Sequence, residues 1–224
     1  MAIENPTVTV GGRISFPKFT AQEAFDSSQG GKYPAKSVEE AKPSFDLLLT
    51  QAQLDKVVKA IEDQFIPFVA ERNKQGEKKN QLEPADVKDI LKGLKSGEWK
   101  SKLYQLPIKE VHEKTAEMAP EAVATISVRG QAGSTLEQRA IVRDEKEVSD
   151  PDFVFTDTTI LPIGKTVHEI YPGCNVKVTI NFYAYYTQGT PGITAGASVV
   201  VFDRDNDRFG GGVAVDEEAM FLDD

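Results

Sequence analysis

The chain has 224 residues, 40% hydrophobic and 27% charged, enough to bury a core in one domain with insertions. Its lone cysteine, Cys174, excludes an internal disulfide framework, and the chain shows neither a membrane-length apolar run nor a signal-peptide pattern, so a reducing cytosol is expected. The net charge of −9 argues against nucleic acid at first sight, yet residues 216–224 hold five acids and no base, while residues 72–114 carry eleven Lys/Arg against seven Asp/Glu.

In chain order, TVTVGGRISF (residues 7–16) predicts a strand broken or bulged at Gly11-Gly12. A turn-rich section follows to Pro43, and then SFDLLLT (44–50) reads as a short buried strand. Between residues 51 and 72, Leu54, Val57, Val58, Ile61, Phe65, Phe68 and Val69 form a one-sided helical stripe, with Pro67 expected to kink or end it. NKQGEKKNQLEP reads as a polar loop or lid. Pro84–Leu94 predicts a second helix ending near Gly93, and SGEWKSKLYQLP places Trp99 and Tyr104 beside Lys95, Lys100 and Lys102. Glu113–Ala119 suggests a helical turn, AVATISVRG a strand, and DFVFTDTT (152–159) another. The runs VKVTINFYAYY and ITAGASVVVF flank a Gly/Pro turn and predict a hairpin.

Five or more strands, one strong helix and no strand–helix alternation disfavour a doubly wound sheet. The pattern fits a mainly β fold: an OB-fold-like, partly open β-barrel with helical insertions, although periodicity does not separate it from a β-sandwich. The expected organisation is one domain over residues 1–215, with a helical, lysine-rich insertion at 51–115, and a disordered acidic tail at 216–224.

Strand alternation puts Tyr183 and Tyr185 on one face, and Phe182 and Tyr186 on the other. A sheet with one apolar face does not need aromatics on both, so Tyr183 and Tyr185 form a candidate base-stacking platform; the competing reading covers the sheet on both sides. Trp99 and Tyr104, interleaved with lysines, offer a second platform, against a reading in which Trp99 anchors the insertion. Lys100, Lys102, Lys109, Arg129, Arg204 and Arg208 are candidate phosphate contacts. FDRDNDRFGGG lacks the spacing of a calcium loop and reads as a turn, and no phosphate-loop pattern is present. His112 and His168 lie far apart in the chain, and Cys174 reads as a buried filler. No catalytic residue, metal or cofactor is expected. In the tail, Asp216, Glu217, Glu218, Phe221, Asp223 and Asp224 could cover a cationic groove or dock on a partner, against a merely solubilising role.

The landmarks GGRISFPKF, SFDLLLT, IYPGCNVKVTINFYAYY and PGITAGASVVVFDRDNDRFGGG resemble those of a phage single-stranded DNA-binding family known as DUF2815, similar in plan to podovirus replication single-stranded DNA-binding proteins. The resemblance implies an OB-fold core that coats single-stranded DNA without sequence preference in replication, recombination and repair, with no enzymatic turnover. It implies work in the cytoplasm of an infected bacterial host, no membrane association, and tail contacts with a polymerase, helicase or recombination nuclease. It assigns stacking to Tyr183 and Tyr185 and backbone contacts to Arg204 and Arg208, with Trp99 and Lys102 in the same groove. The lysine-rich insertion, Ala197-Ser198 and DRDND depart from the family pattern. The alternative function is a structural or scaffold protein-interaction module without nucleic-acid binding.

Overall fold

A twelve-residue strand, β1 (Thr7–Lys18), opens the sheet and serves two partners. After it the computed structural model has α1 (Ala21–Ser28), β2 (Ser44–Leu49), α2 (Gln51–Ala60), a π-turn at Ile61–Phe65, α3 (Ile66–Lys74), α4 (Pro84–Ser96), β3 (Ile108–Lys109), α5 (Glu113–Met118) and β4 (Ala124–Arg129). The chain continues through β5 (Glu137–Val142), β6 (Thr159–Pro162), β7 (Asn175–Thr187), β8 (Thr190–Gly196) and β9 (Val199–Arg204). The structure describes residues 5–31, 34–74, 82–187 and 189–209. Among them, no helix is long and apolar enough to cross a membrane.

The first half of β1 pairs with β7, from Thr7↔Asn181 to Arg13↔Asn175, and its second half pairs with β2, from Arg13↔Leu48 to Lys18↔Ser44. β2 pairs with β4, β4 runs parallel to β8 at Val128↔Ala195 and Arg129↔Gly196, and β8 forms a hairpin with β7. These pairings make a ring of five strands, β1-β2-β4-β8-β7, in which one long strand joins both ends. Its parallel seam is short, and residues 105–109 fill the splay beside it. There Gln105 bridges Gly192, Ser127 N–H donates to the Pro107 carbonyl, and β3 pairs with β4. The fold is therefore mixed α/β rather than mainly β, with an OB-fold-like sheet.

Alternation along β7 builds the core: Val176, Val178, Ile180, Phe182 and Ala184 are buried, while Lys177, Thr179, Tyr183 and Tyr186 are exposed. Phe182 meets Phe65 of the π-turn with ring centroids 5.8 Å apart, so the helical stripe covers the ring's interior. Pro67 does not end the helix. The wide π-turn before it absorbs the proline's missing N–H and bulky ring, and α3 runs on to Lys74.

Other expectations shift. β1 is paired through Gly11 and Gly12, and its irregularity falls between Ser15 and Lys18. Residues 152–158 are not a strand; the edge strand is β6, which ends three residues beyond the predicted end. β5, which had no clear apolar alternation, becomes a strand because β9 and β6 pair with it on either side. The second run of the hairpin breaks at Ala197-Ser198 into β8 and β9, both paired with β7. The lid predicted at NKQGEKKNQLEP falls largely on residues 75–81, outside the described residues, and so does the tail.

Arg13 ties the termini of the ring together. It is buried, and its guanidinium donates to the carbonyls of Gly173 (3.0 Å), Met118 (2.7 Å) and Asp207 (2.8 Å). Gly173 has φ +106°, and a Cβ there would lie 2.1 Å from the Asp207 carbonyl oxygen, so only glycine lets these turns close on each other. Cys174 beside it is fully buried, and burial pushes its thiol up to about 11.

Candidate nucleic-acid interface

On the outer face of the β7–β8 hairpin two tyrosine rings recline on two glycines. Tyr185 lies opposite Gly192, and a Cβ at Gly192 would be 2.4 Å from the Tyr185 ring. Tyr183 lies diagonally over Gly196, where a Cβ would be 2.9 Å from its ring. A ring lying on a bare backbone keeps its other face free, which is the geometry a stacking base requires. Tyr183 is 39% exposed, and Asn181 donates a side-chain hydrogen bond to its hydroxyl. Tyr185 is half-buried and its hydroxyl donates to Gln105 Oε1 at 3.3 Å. Phe182 and Tyr186 occupy the opposite phase. Phe182 is in the core, and the Tyr186 hydroxyl is held by Asp86 and the Glu83 N–H at the start of α4.

Cations reach this platform from two sides. Arg129 is exposed and pairs in register with Gly196, under the edge of Tyr183. Burial raises the Tyr185 phenol above its ordinary value, and the nearby Arg129 charge opposes that rise. From the other side, residues 100–105 form a small hairpin closed by Lys100↔Gln105, with Gln105 hydrogen-bonded to Pro191 and Ile193 of β8. That docking brings Lys100 and Lys102, both exposed, to the Tyr185 end of the sheet. Among the described residues, Lys100, Lys102 and Arg129 have no acidic partner within ion-pair distance.

The remaining candidates divide. Tyr104 is a correction: it is 3% exposed, its ring fills the space over Gly93, and its hydroxyl donates to the Glu98 carbonyl, so it presents no face to a base. Trp99 is half-buried against the core at the base of the same hairpin, with its carbonyl accepting from Leu106. Lys109 is engaged with Asp46 at 2.8 Å. Arg204 and Arg208 are not brought to the tyrosines. Arg204 pairs with Asn175, eight residues down β7 from Tyr183, a distance of roughly 26 Å at 3.3 Å per residue. It lines a polar cleft of about 400 Å³ with Arg13, Glu121 and Asp205. Arg208 stacks over Tyr171 at 4.1 Å and pairs with Glu169. The aspartates of DRDND also have structural partners: Asp203 pairs with Arg143 and Lys177, and Asp205 accepts from Tyr171. Among the described residues no cluster of three His, Cys, Asp or Glu side chains is placed to hold a metal.

Sequence reasoning overlooked the glycines. PGITAG spaces Gly192 and Gly196 four apart on one face of a strand, opposite two tyrosines on the facing strand. That is a readable signal for reclining rings once the hairpin register is set.

Residues 125–223 match a protein family described as the single-stranded DNA-binding protein of Enterobacter phage Enc34. No curated protein matches the chain. Among solved structures, the chain is similar to the single-stranded DNA-binding protein from bacteriophage Enc34, at 18% identity and TM-score 0.46 over 98% of this chain and 96% of that one. The same phage protein in complex with single-stranded DNA gives 18% identity and TM-score 0.48, over 94% and 96%. A single-stranded DNA-binding protein encoded by bacteriophage T7 gives 11% identity and TM-score 0.41, over 98% and 96%.

Proposed function

We propose that the chain binds single-stranded DNA without sequence preference, as a non-enzymatic coating protein in phage DNA replication, recombination and repair. The observation that carries this reading is the pair of reclining tyrosines, Tyr183 and Tyr185, with exposed Arg129 on one side and Lys100 and Lys102 on the other. Rings without base-edge donors in fixed geometry favour stacking that tolerates any base, and the cations supply the sequence-independent phosphate term. The match of residues 125–223 to the Enc34 family supports it. The finer resemblance to DUF2815 and podovirus proteins, an infected-host cytoplasmic setting, and contacts of the acidic tail with a polymerase, helicase or recombination nuclease belong to the same proposal. So does a role for residues 216–224 in covering the cationic path until nucleic acid displaces them.

The test is a fluorescence titration with mixed-sequence and poly-dT strands, compared with duplex, over a series of salt concentrations. Binding should be micromolar or tighter, on the order of −8 kcal/mol, for single strands, and weaker for duplex. R129A should lower affinity alike for all sequences and flatten the log-affinity against log-salt slope by about 0.7, the value for one single-strand phosphate contact. Absence of binding at low salt would overturn the reading in favour of a protein-interaction module.

A further inference from the structure

Phe16 is the one large aromatic of β1 that faces solvent, at 67% exposure, and its backbone is held at φ +46°. Both facts are anomalous. Counting by twos, Phe16 is in phase with the buried Val10 and Ile14, so an unbroken strand would send it into the core. Between Ser15↔Asp46 and Lys18↔Ser44, three steps along β1 face two along β2, so β1 carries one extra residue. The extra residue turns Phe16 out. Bulges of this kind ordinarily place glycine in the left-handed conformation, and a phenylalanine there is strained, more so before Pro17. A strained, solvent-facing aromatic fixed between two positions of β1 that both pair with β2 points to a ligand.

Register places this bulge on the platform's own face. Cross-strand partners share a face, and the pairings Lys18↔Ser44, Ser44↔Arg129, Arg129↔Gly196 and Gly196↔Asn181 run as one row from the bulge to the tyrosines. Four strand spacings separate the ends, roughly 19 Å at 4.8 Å each. Lys18 and Arg129 along the row have no acidic partner among the described residues. Two acids flank the row: Asp46 accepts from Ser127 and from Lys109, whose ammonium offsets its charge, and the Glu23 carboxylate accepts from the Phe19 and Thr20 N–H groups.

We infer that Phe16 is a second nucleobase-stacking site, with the β1 bulge as its mount, and that single-stranded nucleic acid crosses the outer face from Tyr183 past Arg129 and Lys18 to Phe16. This rests on the single-strand reading above and extends its path to a strand nothing else assigns. The experiment compares the full chain with F16A and F16G on oligothymidylates of about 4 and about 12 nucleotides, the range that one OB-type sheet accommodates. F16A should weaken the longer strand roughly 5- to 150-fold, the loss of one stacked base, and the shorter one, which the tyrosines hold alone, less than about twofold. F16G should lose the same affinity while its unfolding midpoint stays level or rises, because glycine adopts positive φ without strain. Native affinity of F16A for the longer strand overturns the inference, and so does a lowered midpoint in F16G, which would make Phe16 a packing residue. If the unmodified chain binds neither strand, the failure lies in the single-strand reading itself.

Discussion

At the scale of single residues, the site depends on atoms that are missing. Gly192 and Gly196 contribute no side chain, and their value is the flat bed they give Tyr185 and Tyr183. A methyl at either position would meet the far end of a flexible ring, which can swing away, rather than backbone. Both glycines are buried beneath the rings, yet because those rings can give way G192A and G196A should fold with losses below the roughly 1–3 kcal/mol of core overpacking. They should lose about 1–3 kcal/mol of single-strand affinity as the rings are pushed upright. Thermal melts and oligonucleotide titrations on the same samples check this; full affinity in both variants would show that the reclining pose is not the binding pose. Tyr183 and Tyr185 were legible in the sequence because a period of two fixes their shared face. Tyr104 was not, because aromatic-plus-lysine composition is the same for a core anchor and for an exposed platform.

At the scale of elements, the hairpin of residues 100–105 is positioned by a strut. Tyr104 runs under α4 and stacks where a Gly93 side chain would be, with 2.0 Å between its hydroxyl oxygen and a Cβ built at Gly93. Sequence logic put Gly93 near the helix end, as a stop. The actual stop is Gly97 in the left-handed conformation, and Gly93 serves close packing inside the helix. G93A should destabilise the protein by about 1–3 kcal/mol through overpacking. It should also weaken DNA binding, since Lys100 and Lys102 ride on the displaced hairpin. Denaturant midpoints measured beside oligonucleotide affinity decide the matter: native values for both would remove Tyr104 as the strut.

At the scale of the molecule, charge closes the far end of the sheet. Burial alone would raise the Asp203 carboxyl, but hydrogen bonds from Arg143 and Lys177 outweigh it and hold the group below the usual carboxylate range. Glu147 is also lowered, chiefly by the Arg143 backbone N–H, against its own burial. A depressed folded value means stabilisation that is complete above the ordinary carboxylate range and is lost as pH falls through the lower folded values. The melting temperature should thus be flat near neutrality and fall on the acid side, below about pH 4. D203N should be less stable at neutral pH and show a shallower acid limb. An unchanged limb in D203N would show that this network does not couple to folding.

Local chemistry is written in the chain itself. The alternation of β7, the apolar stripe of α2 and α3, the buried thiol and the acidic end all follow from neighbours within a few residues, where periodicity and volume act directly. Which cations join the tyrosines is a different matter. It follows from pairings between distant segments: β1 shared between two strands, a parallel seam joining β4 to β8, and a bulge that turns one phenylalanine outward. Those choices set Arg129 beside the rings, and leave Arg204 and Arg208 at the other end of β7. Long-range register carries no local signature, because each strand could satisfy its own backbone with several partners, and only the closed ring selects among them.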